Sequence, residues 1–298
     1  MKPLTSAVLP LLALFGLTDV PVAAAEPSAN HPITLGTRYT VPSIVLGDTR
    51  ELNVWLPPGY DTSNQRYPVV YLLDGAVEQD FVHIAGLGSL ASLSWTFGPF
   101  IVVGIQTRDR KAELTERPVD PRYIAAFPES GGANRFRRYL RQEVIPLVES
   151  RYRMSGKRAL MGESLAGLFV VDTLLAEPAL FNDYIAISPS LWWDDRRMVR
   201  ALAPVRQSPA TGKRLFLAMA NEGGTMQDGV DRLRRWLAPL PRGQIALNYV
   251  DYSRTATHDT VYHHAAETAL RWLYPAPPYA GGPTPWYMFD GAKPPKVR

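Results

Sequence analysis

The sequence predicts an α/β fold in which helices cover both faces of one mostly parallel, eight-stranded sheet. Eight short strand-like segments can be counted along the chain, and helical patterns separate most of the later ones. The later segments are continuous apolar runs, such as VVYLL, IVVGI and LFLAM, which are typical of strands covered on both faces. Because strands and helices alternate, we expect parallel pairing with right-handed crossovers.

The order of the elements supports this architecture. The first two strands flank the turn residues 47–49, so we expect them to form an antiparallel hairpin. The predicted strands cover residues 39–46, 51–56, 67–73, 100–106, 158–161, 184–188, 214–220 and 245–252. Helical patterns cover residues 136–148, 165–176, 230–237 and 261–273, with a kink expected near Pro146. No repeat or Gly/Ser linker divides the chain, so we predict one domain over residues 26–298 with a Pro/Gly-rich tail from Pro275.

The N-terminal stretch has the pattern of an export signal. Lys2 supplies a positive start, residues 7–17 form an apolar run, and residues 23–25 are three alanines of the kind that signal peptidase accepts. We therefore predict a signal peptide over residues 1–25 and a periplasmic or secreted mature protein, without stable membrane insertion. A buried N-terminal helix is the alternative interpretation.

Composition narrows the chemistry that the chain can perform. The absence of cysteine excludes disulfides, thiolate metal sites and cysteine nucleophiles, and it suits a protein that folds outside the cytoplasm. The net charge of +4 is modest and no long block of Lys or Arg occurs, so we expect no nucleic-acid partner. No His/Asp/Glu cluster has the spacing of metal ligands, so we expect neither a metal nor another cofactor.

One long polar segment, residues 107–133, interrupts the alternation after the fourth strand. Loops that follow the carboxyl ends of parallel strands surround the ligand site in such folds, so this segment is a candidate lid or substrate wall. A surface loop without a functional role is the alternative.

The most informative stretch is RALMGESLAGLFVV, in which a short strand runs directly into a buried helix with Ser164 at the turn. This is the context in which G-x-S-x-G places a nucleophilic serine on a strained bend in α/β-hydrolases. The neighbours two before and two after the serine must be small, and here they are Gly162 and Ala166. The sequence therefore predicts Ser164 as a nucleophile; a serine that only caps a core helix is the alternative.

A serine nucleophile needs a base within hydrogen-bond reach and an acid to orient that base. Of the five histidines, His258 lies in the loop between the last strand and the last helix, where the order Ser, acid, His places the base. His263 is the reserve candidate. The acid should follow the seventh strand, where Glu222 is the first carboxylate and two glycines come next. Asp228 and Asp231 are rivals, and a solvated loop residue is the alternative interpretation of Glu222.

Two further groups complete the predicted site. The oxyanion hole should combine the N–H of Leu165 with one N–H from the loop after the third strand, either that of Gly75 or that of Ala76. Trp192 and Trp193 follow the sixth strand and fall on the same rim. They are candidates for an aromatic, substrate-binding wall, and packing beneath the long polar segment is the alternative.

At these residues the chain resembles the esterase D-like branch of α/β-hydrolases, also called the putative esterase family. The resemblance rests on YPVVYLLDG, ESGGANRFRRYLRQEVIPLVESRY, GESLAG and EPALFNDYIAISPSLWWDD, and it covers residues 39–273. It is greatest to the siderophore esterase branch, some members of which are periplasmic, and it implies Ser164 as nucleophile and His258 as base. Glu163 and Ala166 stand where many members have His and Gly. The acid varies in that branch, so the role of Glu222 stays open.

Together these features predict a serine hydrolase that cleaves a small-molecule carboxylic ester through an acyl-enzyme intermediate. The resemblance adds siderophore trilactones as a substrate class. The alternatives are an acyltransferase, a feruloyl or acetyl carbohydrate esterase on the same scaffold, and a non-catalytic binding protein. The sequence does not indicate an oligomeric state.

Overall fold

The computed structural model describes residues 31–202 and 211–276. By contacts between residues the chain divides into two units, Met1–Thr34 and Leu35–Arg298, and every element below belongs to the second. The predicted signal peptide and nearly all of the predicted Pro/Gly-rich tail lie outside the described residues. Within those residues, no helix combines the length and the apolar character that crossing a membrane requires.

The sheet contains all eight of the predicted strands. They are β1 (Thr37–Ser43), β2 (Asp48–Trp55), β3 (Tyr67–Leu72), β4 (Ile101–Ile105), β5 (Met154–Glu163), β6 (Asp183–Ile187), β7 (Lys213–Met219) and β8 (Ile245–Asp251). Their order in the sheet is β1-β2-β4-β3-β5-β6-β7-β8. β2 pairs antiparallel with both β1 and β4, while the other neighbours are parallel. The predicted hairpin and the mostly parallel pairing are therefore confirmed.

Helices cover both faces of this sheet. They are α1 (Phe81–Ser94), α2 (Arg110–Leu114), α3 (Pro121–Ala126), α4 (Ala133–Tyr139), α5 (Ile145–Arg151), α6 (Leu165–Ala176), α7 (Trp193–Arg200), α8 (Gly224–Leu237) and α9 (His258–Leu273). Side chains alternate between the faces of a strand, so Tyr71 packs in one core cluster with residues of α4, α6 and α8, and its neighbour Leu72 packs in another with α1 and α9. The apolar runs of the central strands are buried on both faces for this reason.

The helix predicted over residues 136–148 is interrupted in a different way from the one expected. α4 ends at Tyr139, a π-helical turn covers Leu140–Val144, and α5 begins at Ile145. Pro146 has no N–H to donate, so the regular hydrogen-bond pattern fails there. The wider turn that precedes the proline absorbs this interruption.

α9 begins three residues earlier than predicted, because a capping box forms at its N-terminus. Thr257 is the N-cap, and its backbone N–H donates to the Thr260 hydroxyl at 3.0 Å. His258, which we expected in the preceding loop, is therefore the first residue of the helix. A Thr in place of the usual Glu or Gln at the third helical position made this start hard to recognise.

The long polar segment after β4 is folded and fastened to the rest of the unit. It contains α2, which the side chain of Asp109 caps, and α3. The buried carboxylate of Asp194 accepts hydrogen bonds from the backbone N–H groups of Val119 and Asp120 at 3.0 and 2.9 Å. The segment is thus held against α7 by buried polar contacts.

Arg137 is a fully buried cation behind α6. Its guanidinium donates to Asp172 and Asn134, both at 2.7 Å, and carboxylate oxygens of Glu116 and Glu177 lie 3.6 and 3.5 Å away. Burial raises the pKa of Asp172 to about 6, although the charge of Arg137 acts to lower it. This network ties α4 and the long polar segment to the helix that follows Ser164.

We expect Arg137→Met to destabilise the fold by about 3–5 kcal/mol near neutral pH, because Asp172 then stays buried without its cation. Protonation of Asp172 removes the uncompensated charge, so the loss should be smaller at pH 5 than at pH 7. Urea unfolding at the two pH values measures both effects. Arg141→Met is the matched control, since it removes a partly exposed ion pair with Glu177 and should cost less than about 1 kcal/mol. Equal losses in the two variants would contradict this account.

Candidate active site

Ser164 occupies a strained bend between β5 and α6. Its φ and ψ are 58° and −117°, a conformation that residues other than glycine rarely adopt. The backbone on both sides holds it there: its N–H donates to the Ile187 carbonyl at 3.0 Å, and its own carbonyl accepts the first helical bond from Leu168 at 2.9 Å. The predicted strand–serine–helix elbow is therefore present in the structure.

The small residues around the serine have the steric role that the motif requires. A Cβ added to Gly162 would lie 2.6 Å from the Ala166 methyl and 2.8 Å from the Ala166 carbonyl carbon, so only glycine fits where α6 turns back over β5. One methyl group at position 166 is accommodated because position 162 has none. A Cβ on Gly167 would come within 3.0 Å of the Ile187 carbonyl oxygen, which explains the second glycine.

The structure brings His258 and Glu222 together. The Nδ1 atom of His258 lies 2.7 Å from Oε1 of Glu222, which extends from the loop between β7 and α8. The side chain of Glu222 is 10 % exposed and that of His258 is 36 % exposed. An Nδ1–H that donates to the carboxylate leaves Nε2 free to accept a proton. The rival acids face elsewhere: Asp228 pairs with Arg196 and Arg232 on the surface of α7 and α8.

The other rival acid and the reserve histidine are also directed away from this pair. Asp231 accepts from Gln227 and Arg234 within α8. The ring of His263 packs edge-on against His83 of α1, with 5.0 Å between the ring centroids.

Each member of the pair changes the proton affinity of the other. The hydrogen bond with Glu222 raises the pKa of His258 above its ordinary value, against the opposing effect of burial, and the charge of Glu163 acts in the same direction as Glu222. Burial acts to raise the pKa of Glu222, but its hydrogen bonds with His258, with Ser188 and with its own backbone N–H, together with the charge of His258, outweigh burial, and the pKa is lowered. Glu222 is therefore ionised at neutral pH, as an acid that orients an imidazole must be.

The hydroxyl of Ser164 is paired with a residue that sequence reasoning missed. Its Oγ lies 3.2 Å from Oγ of Ser190, and the Ser190 N–H donates to the Ser164 carbonyl at 2.9 Å. Among the described residues, no hydrogen bond joins Ser164 to His258 in this conformation. Rotation about the serine Cα–Cβ bond changes the partner of the hydroxyl. The sequence feature that could have identified Ser190 is its position shortly after the end of β6, since β6 is the strand next to the elbow.

The two alternatives for the second oxyanion donor differ in their present partners. The N–H of Gly75 donates to the Ile105 carbonyl at 2.9 Å within the backbone, so it is not free to bind a substrate oxygen. The N–H of Ala76 donates to Oε1 of Gln79 at 3.1 Å, a side chain that can rotate away. Ala76, together with Leu165 at the start of α6, is thus the better candidate. Glycine is needed at position 75 because a Cβ there would lie 2.3 Å from the backbone of β4.

Three carboxyl groups and one guanidinium lie beside the elbow. Burial raises the pKa of both Asp80 and Glu163 to about 7 and also raises the pKa of Asp74. The charge of Arg110 opposes each of these three shifts. Its Nε lies 3.0 Å from Oδ2 of Asp74, and its Nη2 donates to the backbone carbonyl of Glu163 at 3.0 Å. Sequence reasoning noted Glu163 only as a departure from the family pattern and assigned no role to the side chains of Asp74 and Asp80.

The two tryptophans have different environments. Trp193 is 5 % exposed, and its indole N–H donates to the Glu116 carbonyl at 3.0 Å. Its ring packs on Phe127 and Tyr123 of the long polar segment, at centroid distances of 5.3 and 5.6 Å. Trp193 therefore does not form part of a substrate-binding wall as we expected. It packs beneath the long polar segment, which already covers its indole ring. Trp192 is only partly buried.

No group of three or more His, Asp or Glu side chains within residues 31–202 and 211–276 is arranged to hold a metal ion. The described residues bring a hydroxyl, an imidazole, carboxylates and backbone N–H groups to this site.

The fold and this arrangement define the class: an α/β-hydrolase with a serine on a strained elbow and a histidine–carboxylate pair at the same end of the sheet. The sequence profile of the Putative esterase family matches residues 43–272. The chain belongs to the Putative esterase family.

Several relatives agree with this assignment. Ferri-bacillibactin esterase BesA of Bacillus subtilis is 34 % identical over 146 residues, which cover 43 % of this chain and 49 % of BesA. The apo-salmochelin esterase of Escherichia coli is 33 % identical over 156 residues, 48 % of each protein. The chain thus matches about half the length of these curated relatives.

Solved structures share the fold. The IroE-like serine hydrolase of Shewanella oneidensis superimposes with a TM-score of 0.65 at 30 % identity, covering 80 % of each chain. The BES protein of Bacillus cereus gives a TM-score of 0.69 at 19 % identity, covering 85 % of this chain and 99 % of that one. The second comparison supports the fold alone.

We expect Glu222→Gln to lower the pKa of His258, because the amide removes the negative charge that favours the imidazolium. Asp228→Asn is the matched control and should leave the pKa unchanged, since Asp228 pairs with arginines instead. A pH titration followed by NMR of the five histidine rings measures the value, and a His258→Asn spectrum assigns the resonance. An unchanged His258 pKa in Glu222→Gln would show that the contact is not formed in solution.

Proposed function

We propose that this protein is a serine esterase that hydrolyses carboxylic esters through an acyl-enzyme intermediate. The observation that supports this proposal most directly is the presence, at one end of the sheet, of a strained serine at a helix N-terminus and a histidine held 2.7 Å from a partly buried carboxylate. Ser164 is the nucleophile, His258 the general base and Glu222 the group that orients the imidazole.

The proposed reaction begins with rotation of the Ser164 hydroxyl from Ser190 toward His258. Nε2 of His258 takes the hydroxyl proton while Oγ attacks the ester carbonyl, and Glu222 stabilises the imidazolium that forms. The N–H groups of Leu165 and Ala76 bind the oxyanion, the latter after Gln79 has moved. The imidazolium then protonates the leaving alcohol. Water, activated by the same histidine, hydrolyses the acyl-enzyme through a second oxyanion.

We further propose an anionic, aromatic substrate of the ferric catecholate trilactone class. Support comes from relatives whose names state esterase action on ferri-bacillibactin and apo-salmochelin. The half-buried rings of Tyr123 in α3 and Trp192 after β6 have centroids 6.1 Å apart and form an aromatic rim that suits stacking on such rings. Export to the periplasm or the medium belongs to the same proposal and is supported by the N-terminal pattern of the sequence.

Ser164→Ala should reduce the hydrolysis of p-nitrophenyl butyrate by at least ~10³-fold, since no other described group replaces the nucleophile. A fluorophosphonate should label the wild-type protein at Ser164, as mass spectrometry of the peptide would show. Ser190→Ala is the comparison variant: its hydroxyl is only a neighbour of the nucleophile, so labelling should persist. Hydrolysis that survives in Ser164→Ala would refute the proposed mechanism.

The substrate class is tested by comparing kcat/KM for a ferric trilactone, its iron-free form, and feruloyl and acetyl sugar esters. We expect a trilactone to be preferred over the sugar esters by at least ~10-fold. Trp192→Ala should raise KM for the trilactone and leave the hydrolysis of p-nitrophenyl acetate unchanged. Preference for a sugar ester, or an equal effect of the variant on both substrates, would reject this substrate assignment and leave the esterase proposal standing.

A further inference from the structure

One face of α1 is apolar and exposed. The side chains of Val82, Leu90 and Leu93 are 47, 61 and 77 % exposed, and Gly86, between the first two, is exposed as well. Successive spacings of four, four and three residues place these positions on one side of the helix. α1 contains no Asp, Glu, Lys or Arg, and a helix that is apolar all round is normally buried. We call these four residues the outer stripe of α1.

Gly86 has no packing role among the described residues. A Cβ added there would meet nothing within 4 Å, so the contacts that the structure shows do not require glycine. Glycine also weakens the interior of a helix relative to alanine. A residue without a side chain is useful where another segment passes close to the backbone. The outer stripe therefore has the character of a surface that another segment covers.

The chain leaves the described residues beside the C-terminal end of α1. Gly98 donates its N–H to the Tyr274 carbonyl at 2.6 Å, and Phe97 pairs with Pro275 in an antiparallel bridge. In an antiparallel pair, each step forward along one segment is a step backward along the other. The residues that follow Pro275 therefore head back toward the end of the helix that carries Leu93.

The composition of the next segment matches the outer stripe. Residues 277–289 read PPYAGGPTPWYMF and contain no charged side chain, just as α1 contains no carboxylate or basic group apart from His83. Three aromatic residues and a methionine follow one another at positions 286–289. The four prolines restrict the free chain to extended conformations, which reduces the entropy lost when the segment binds a surface.

The segment is also long enough. An extended chain advances about 3.3 Å per residue, so the ten residues from Ala276 to Trp286 span up to about 33 Å. The outer stripe measures about 16 Å from Leu93 to Val82, at a helical rise of about 1.5 Å per residue. Every part of the stripe is thus within reach of the aromatic run.

We propose that residues 277–289 bind the outer stripe of α1 in the same molecule, with the side chains of residues 286–289 packed on Leu90, Gly86 and Val82. The proposal does not depend on the proposed esterase function. It goes beyond that function because it assigns a partner to a surface outside the candidate active site. Since α1 follows the loop that carries Ala76, and the segment continues from α9, this contact fastens together two elements that border the site.

The first test measures coupling between the segment and the helix. It combines removal of residues 277–298 with Leu90→Gln/Leu93→Gln, since glutamine and leucine have similar helix propensities. We expect the truncation to lower Tm by at least about 2 °C and to raise the fluorescence of the dye ANS at least about twofold, because the stripe becomes uncovered. The two leucine substitutions should lower Tm in the full chain but change it by less than about 1 °C in the truncated one, where their partner is gone.

Removal of residues 290–298 alone is the matched control, because it keeps the aromatic run and should behave as the wild type. If the protein that lacks residues 277–298 does not fold, Trp286→Ser/Phe289→Ser replaces it, and the same coupling to the leucine substitutions is expected. Additive effects on Tm in both backgrounds would contradict the proposal.

The second test locates the segment directly. The chain has no cysteine, so Gly291→Cys provides a single attachment point for a nitroxide just after the aromatic run. The label should broaden the methyl NMR resonances of Leu90 and Leu93. It should leave those of Val119, an exposed residue of the long polar segment on the other face of the sheet, unchanged.

Three results of the labelling experiment would overturn the proposal. Broadening that appears only between a labelled molecule and a separate, isotope-enriched one would assign the outer stripe to a second copy of the chain. Broadening of the same methyls by a label at Ser28→Cys, and none by the label at position 291, would assign the stripe to the N-terminal residues. Sharp Leu90 and Leu93 methyls with both labels would show that neither end of the chain covers α1. None of these measurements uses ester hydrolysis, so failure of the proposed function would be seen separately.

Discussion

The bend at Ser164 holds a backbone conformation that costs on the order of 1–3 kcal/mol, so the surrounding structure has to maintain it. Its N–H is tied to β6 through Ile187, its carbonyl accepts from both Leu168 and Ser190, and Gly162 lets α6 pass close to β5. These contacts come from two neighbouring parallel strands, β5 and β6, whose carboxyl ends meet at one edge, and from the helix α6 that follows β5. The site depends on the sheet because only the sheet fixes these ends relative to one another.

The sequence was sufficient to predict those elements whose formation follows local rules. Continuous apolar runs identified the buried strands, and the small residues around Ser164 identified the elbow, because both features follow from short-range sterics and burial. Glu222 could be placed near His258 because strand ends converge in a parallel sheet. That argument used only the order of strands along the chain, and the 2.7 Å contact between the two side chains agrees with it. The roles assigned to them stay proposals.

Contacts between irregular segments could not be predicted from the sequence by these local rules. The path of the long polar segment has no hydrophobic period, so nothing in the sequence placed Arg110 against Asp74 and Glu163, which are 36 and 53 residues away from it. The partner of the Ser164 hydroxyl and the choice between Gly75 and Ala76 depended on individual hydrogen bonds. The sequence left packing of Trp193 beneath this segment as one of two alternatives, and only the tertiary contacts decided between them. These features arise from tertiary contacts that propensity and periodicity do not encode.

Position 163 has an electrostatic consequence for the proposed base. A Glu163 anion raises the pKa of His258, and a His258 cation lowers the pKa of Glu163, so the two groups titrate against each other. A general base must be neutral, and an ionised carboxylate beside it therefore opposes the required state. Burial holds the pKa of Glu163 at about 7, so near neutral pH part of the population keeps this carboxyl uncharged. A carboxyl group is compatible with catalysis at this position because the protein interior limits its ionisation.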